Sequence, residues 1–171
     1  MQNAAVDFVV DQPIAAPRDD VEAAFVDPEF YRALGQLPDI APPEIIDRRD
    51  RDGITEVSVR FQFIGHLAAP VRAVLDPSKL TWVQESRIDR QAHRTDFTMQ
   101  PEHYGTRLQC TGSYEFEALP DGTTLQRVRG RVKVNWPLVS GAVERAIVSG
   151  LREHLKSEAH ILEQWVRDRN R

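Results

Sequence analysis

The chemistry a chain can do is first sought among its histidines, here at positions 66, 93, 103, 154 and 160. His154 and Glu158 stand four apart in a helical stretch, so they share a face and could hold a metal ion together. The pair is read instead as a surface hydrogen bond or weak ion pair, and His160, six positions beyond His154, falls on another face. His66 follows Phe63 beside Gly65 at an expected strand end. It could act as an acid or base at a cavity mouth, or serve as an ordinary loop histidine. Cys110 lies on the apolar side of its strand and reads as a buried, inert thiol rather than a nucleophile. Carboxylates are plentiful, but most fall on outward positions or in helix first turns. No pair is forced together in an apolar site, so a two-carboxylate hydrolase has no support. The chain has no GxSxG elbow, no GxGxxG and no GxxxxGK[ST]. No catalytic residue, metal or cofactor is assigned.

The elements that must position such residues belong to a chain of 171 residues, 41% hydrophobic and 28% charged, the composition of a folded globular protein. That length suits one domain over 1–171 with a core of useful size. The formal net charge of −4 repels nucleic acid at long range, so only a local basic patch could bind it. A single cysteine rules out an intrachain disulfide and a multi-cysteine zinc site. The opening MQNAAVDFVV lacks the layout of a signal peptide, and no apolar run approaches the roughly 20 residues that span a bilayer. A cytoplasmic location is expected.

Residues 6–14, VDFVVDQPI, read as a strand. Residues 16–35 carry helix signals: Pro17 near the start, Asp19, Asp20 and Glu22 in the first turns, and Gly35 at the end. Asp27-Pro28 splits this stretch into two short helices, because proline disfavours helix in the residue before it. From residue 44 the period becomes two. Val57, Val59, Phe61 and Phe63 alternate with polar residues, as do Phe97 and Met99, while Leu80, Trp82, Gln84, Ser86 and Ile88 form a moderately apolar set. Val71, Ala73 and Leu75 predict a further strand. Residues 137–170 read as one long helix, with Val139, Val143, Ile147, Leu151, Leu155, Leu162 and Trp165 forming an apolar stripe. Gly141 and Gly150 within it suggest close packing or a slight bend.

The clearest pair of strands is 108–117 and 126–136, joined around PDG at 120–122. Their register sets Glu115 opposite Arg127, Ser113 opposite Arg129 and Thr111 opposite Arg131. The row Arg127, Arg129, Arg131 and Lys133 is thereby the wet side of a strand, with no interleaved aromatic residue to stack a base. No nucleic-acid partner is expected.

This order of elements is an α+β chain: a strand, two short helices, an antiparallel sheet of about six or seven strands, and a long C-terminal helix to cover it. The run PIAAPRDDVEAAFVDPEFYRAL, the strand block and the terminal helix resemble the START-like, helix-grip (SRPBCC) superfamily, in an uncharacterised bacterial branch. That superfamily includes the Bet v 1-type allergens, START lipid-transfer domains and polyketide cyclases. The resemblance spans essentially the whole chain. It implies a curved sheet wrapped around the long helix with a hydrophobic cavity between them. Members bind lipids, sterols, polyketides or plant hormones, and some are cyclases, dehydratases or hydrolases. No catalytic motif is common to them, so no catalytic residue carries over.

The expected function is binding or transport of a hydrophobic small molecule. The candidate ligand contacts are Val59, Phe61, Phe63, Trp82, Gln84, Phe97, Met99, Tyr114, Phe116, Ile147 and Leu151. Core packing is the competing reading for each of these. Gln84, Ser86, Tyr114 and Gln126 place polar groups on apolar faces, where each requires a partner. A cyclase, aromatase or dehydratase acting on a polyketide-like substrate is the alternative, with His66, Tyr104, Tyr114 or Asp96 as acid or base. A protein-interaction module that uses the basic row is a further alternative. The ligand's identity and the oligomeric state are left open.

Overall fold

A computed structural model of the chain describes residues 5–171. Residues 1–4, part of the opening segment read above as lacking a signal peptide, lie outside the described residues. Seven strands form one antiparallel sheet in the order β1-β7-β6-β5-β4-β3-β2. They are β1 (Val6–Ile14), β2 (Glu44–Arg51), β3 (Ile54–Gln62), β4 (Thr81–Asp89), β5 (Arg94–Pro101), β6 (Leu108–Ala118) and β7 (Thr124–Val134). Helices α1 (Arg18–Ala24) and α2 (Pro28–Ala33) follow β1, α3 (Ala69–Arg72) separates β3 from β4, and α4 (Ser140–Arg169) closes the chain. The sheet curves around α4 in a helix-grip fold.

Local chemistry explains the breaks. Asp27 caps α2 by accepting from the Glu29 amide at 2.9 Å, and Pro28 occupies the first helical turn, where its missing N–H is not needed. Strands β6 and β7 pair in the register expected from sequence, with Glu115 opposite Arg127, Ser113 opposite Arg129 and Thr111 opposite Arg131. Leu119 donates to the Thr123 carbonyl at 2.9 Å, closing a three-residue loop in which Gly122 has φ +86°.

On the convex face the basic row meets acids from the neighbouring strand. Arg127 pairs with Asp11 at 2.8 Å and Arg131 with Asp7 at 2.6 Å, across the β1–β7 register. On the concave face Gly112 lies opposite Gly130. A Cβ on Gly130 would sit 2.4 Å from the Phe8 ring, and one on Gly112 would sit 2.7 Å from the Phe97 ring. The two glycines thus form a floor on which both phenylalanines lie.

Three long-range hydrogen bonds fasten α4 to β1 and the residue that follows it: Gln12 Nε2 to the Leu155 carbonyl (3.0 Å), the Ala15 amide to Glu163 (2.9 Å), and Arg152 to the Val9 carbonyl (3.0 Å). Buried Glu144 accepts from the Val134 amide at 3.1 Å, tying the start of α4 to the end of β7. Buried Glu22 meets His93 at 2.7 Å, which pins α1 to the β4–β5 turn.

Two expectations are corrected. Val71, Ala73 and Leu75 do not form a strand: α3 and its extension place Val71 and Leu75 one turn apart, both 3% exposed, with the Leu75 amide bonded to the Val71 carbonyl at 2.8 Å. Spacings of two and of four both fit these apolar residues, and Pro70 in the first helical turn favours the helix. Nor do the α4 glycines mark close packing. A Cβ on Gly150 would meet nothing within 4 Å, and one on Gly141 would meet only Arg145 of the same helix.

Candidate functional site

Between sheet and helix lies a cavity of about 570 Å³. Its walls are built by alternation. Residues of β3, β4, β5, β6 and β7 that point to the concave face meet α4 from one side, and α3 with the preceding loop closes another. Phe61 and Trp82 sit directly opposite in the β3–β4 register and stack with centroids 5.5 Å apart at 8°. Phe97 and Phe25 flank Tyr114 at 5.3 and 5.7 Å. The volume is within the roughly 300–1,000 Å³ typical of small-molecule sites, which combine apolar walls with a few convergent polar groups.

Polar groups on this wall include Tyr31 from α2, Tyr114 from β6, and His154 and Glu158 from α4. The Glu158 side chain is 8% exposed, and His154 Nε2 stands 3.3 Å from its carboxylate. The pair faces the cavity rather than the surface, which corrects the expectation of a surface contact. Tyr31 donates to the Phe25 carbonyl at 2.9 Å. The Tyr114 hydroxyl has no hydrogen-bond partner among the described residues, and neither does the buried Trp82 indole N–H. Burial, reinforced by the negative charge of Glu158, holds both phenols well above the ordinary tyrosine value. They are neutral hydroxyls at physiological pH. Burial also pushes the Cys110 thiol up to about 12, so it is no nucleophile. Among the described residues no three histidine, cysteine, aspartate or glutamate side chains converge as a metal site would require.

Of the candidate contacts named from sequence, Phe61, Phe63, Trp82, Gln84, Phe97, Met99, Tyr114, Ile147 and Leu151 line this cavity. Val59 and Phe116 do not. Val59 is buried in the core, and Phe116 packs against Phe25 at 5.8 Å. The acid–base candidates divide similarly. His66 and Tyr104 are on the wall, and the Tyr104 hydroxyl accepts from the Asp76 amide at 2.7 Å. Asp96 instead bonds Arg94 at 3.1 Å and has no part in the cavity. Gln126 is buried beside Gln12 at 3.2 Å, away from the cavity wall.

The residues read from sequence did not include Tyr31, and Glu158 was named only as a surface partner of His154. Tyr31 lay in a segment read only for its helix signals. The signal for Glu158 was its spacing from Leu155 and Leu162, about one helical turn from each, at the edge of the apolar stripe.

Several solved structures share this fold. TTHA0849 from Thermus thermophilus matches with a TM-score of 0.70 at 18% identity, over 97% of this chain and 100% of that one. The Zhui aromatase/cyclase from Streptomyces sp. R1128 matches with a TM-score of 0.66 at 14% identity, over 99% and 97% of the two chains. Norcoclaurine synthase from Thalictrum flavum matches at 0.64 and 13%, over 96% and 87%. At such identities the likeness carries the Bet v 1-like fold and nothing finer. No curated protein sequence matches the chain. A family model described as "Protein of unknown function (DUF2505)" matches residues 10–166, and the chain belongs to that family.

Proposed function

We propose that the chain, as one helix-grip domain over residues 1–171, binds a hydrophobic small molecule between the sheet and α4. The observation that carries this reading is the cavity itself: about 570 Å³ of space with mainly apolar walls and a few polar groups, Tyr114 and Glu158 among them. Side chains fill a core to near crystal density when nothing else is to occupy it. The aromatic walls suit a ring-bearing or extended apolar body, and a cytoplasmic carrier is the setting in which such a site is useful. Native mass spectrometry of freshly purified protein, followed by solvent extraction, is the test. A stoichiometric apolar adduct supports the reading. Repeated failure to load any apolar compound, with the cavity found collapsed, overturns it.

A second reading is a cyclase, aromatase or dehydratase acting on a polyketide-like substrate. What favours it is the His154–Glu158 pair at 3.3 Å beside two neutral phenols, a set able to move protons in an apolar site. Turnover of a reactive polyketone that is lost in His154→Ala, with binding retained, separates an enzyme from a carrier.

A further inference from the structure

Resting on the reading of the cavity as a binding site, the geometry points to the head group it selects. We infer that the ligand carries a hydrogen-bond-donating end, a hydroxyl or an amine, received by Glu158 and Tyr114, and that the site rejects carboxylates. Fatty acids and other apolar acids are thereby excluded in favour of apolar alcohols, phenols and amines.

Glu158 has acceptor directions that its neighbours leave unused. An ionised carboxylate only accepts, with about four lone-pair directions. Among the described residues its one ionisable partner within 4 Å is His154, and no arginine or lysine pairs with it. A carboxylate so deeply buried requires donors. His154 approaches one of its oxygens, and a ligand hydroxyl or amine supplies a further donor.

Tyr114 provides the complement. Its neighbour Tyr31 already donates to the Phe25 carbonyl, whereas Tyr114, 8% exposed as a residue, lines the same cavity with a hydroxyl that has no partner among the described residues. Tyr31, Tyr114 and Glu158 line the same cavity, and the carboxylate adds to burial in raising both phenols. A hydroxyl head can donate to Glu158 and accept from Tyr114 at once. A carboxylate head can do only the second, and it would set two like charges together in apolar surroundings. Lys79, a cation on the cavity wall, is exposed to solvent, where it would not offset that repulsion at the buried end.

The test uses three probes with one fluorescent body: pyrene, 1-hydroxypyrene and 1-pyrenecarboxylate, titrated into the full chain at neutral pH. The readout is energy transfer from the protein's tryptophans, one of which, Trp82, is in the cavity wall. A hydrogen bond to a charged group predicts that 1-hydroxypyrene binds about tenfold tighter than pyrene. The carboxylate should bind more weakly than pyrene. In Glu158→Gln the carboxylate should recover to the affinity of pyrene or better, and in Tyr114→Phe the hydroxyl should lose part of its advantage. Circular dichroism and a melting curve establish that each variant folds, and if one does not, the order of the three probes on the native chain decides. A native chain that binds 1-pyrenecarboxylate as tightly as 1-hydroxypyrene overturns the inference and leaves the cavity reading standing. So does an unchanged order in Glu158→Gln. Binding of none of the three removes the cavity reading, and this inference with it.

Discussion

The two halves of α4 carry the same apolar stripe and meet different fates. Toward its C-terminal end, Ala159, Leu162 and Val166 are buried, and Trp165 packs on Phe30 with centroids 5.8 Å apart. Helices α1 and α2 cross that half, bringing Val21 and Phe30, each fully buried. Toward the N-terminal end, Ala146 and Ile147, and then Leu151, are only half-buried and face the cavity. There the helix packed on α4 is α3, four residues long. One periodicity thus gives a filled core where two helices cross it and an open space where a single turn does.

Large-to-small substitutions test this contrast most directly. Leu162→Ala, in the filled half, should cost about 3 kcal/mol by urea denaturation, since a fully packed leucine leaves a new void behind it. Leu151→Ala should cost less than about 1 kcal/mol, because it only enlarges a space that already exists. Equal losses at the two positions would remove the distinction.

The next effect depends on pH. Tyr31 and Tyr114 titrate well above their ordinary value when folded, mainly because they are buried and secondly because Glu158 is near. The unfolded chain therefore releases phenol protons above about pH 10 while the folded chain keeps them. The stability from these phenols is fully present below that pH and falls as pH rises toward the folded values, by about 1.4 kcal/mol per pH unit for each group. Urea midpoints across that range, with tyrosinate absorbance followed alongside, would show it. A native chain in which all three tyrosines ionise together near pH 10 would contradict the buried cluster.

Thiol chemistry reports on the same wall. Cys110 lines the cavity with its thiol pushed up to about 12, so a disulfide reagent should modify the native chain far more slowly than the unfolded one. A bound apolar molecule should slow it further. Reaction at the unfolded rate would mean the cavity is open to water on that side.

The smallest effect belongs to the convex face. Arg131→Ala removes an exposed ion pair with Asp7 and should leave the urea midpoint unchanged. A large loss there would show that the charged face does more than keep the sheet wet.

Much of this molecule is legible in its residues alone. The β6–β7 register followed from alternation and a short glycine-containing loop, because period-two patterning flips every side chain if the register slips by one. The split between α1 and α2 followed from Asp27-Pro28. Where the reading failed, two geometries fitted the same letters. Val71 and Leu75 satisfy strand and helix spacing alike. Asp96 was named as an acid–base candidate, yet its position on β5 faces away from the cavity.

The linear order of residues was enough to determine the sheet, the long helix and the faces they turn toward each other, because hydrophobic periodicity and turn chemistry are local. It could not say whether those faces touch. That depended on how far the sheet curves and on which helices cross α4, both sums of contacts between residues far apart in the chain. The same packing decided that Glu158, at the margin of an apolar stripe, would be enclosed on the same cavity wall as Tyr31 and Tyr114. A glutamate at that angle is wet or buried according to what stands opposite, and what stands opposite comes from β6 and α2, both distant from it along the chain.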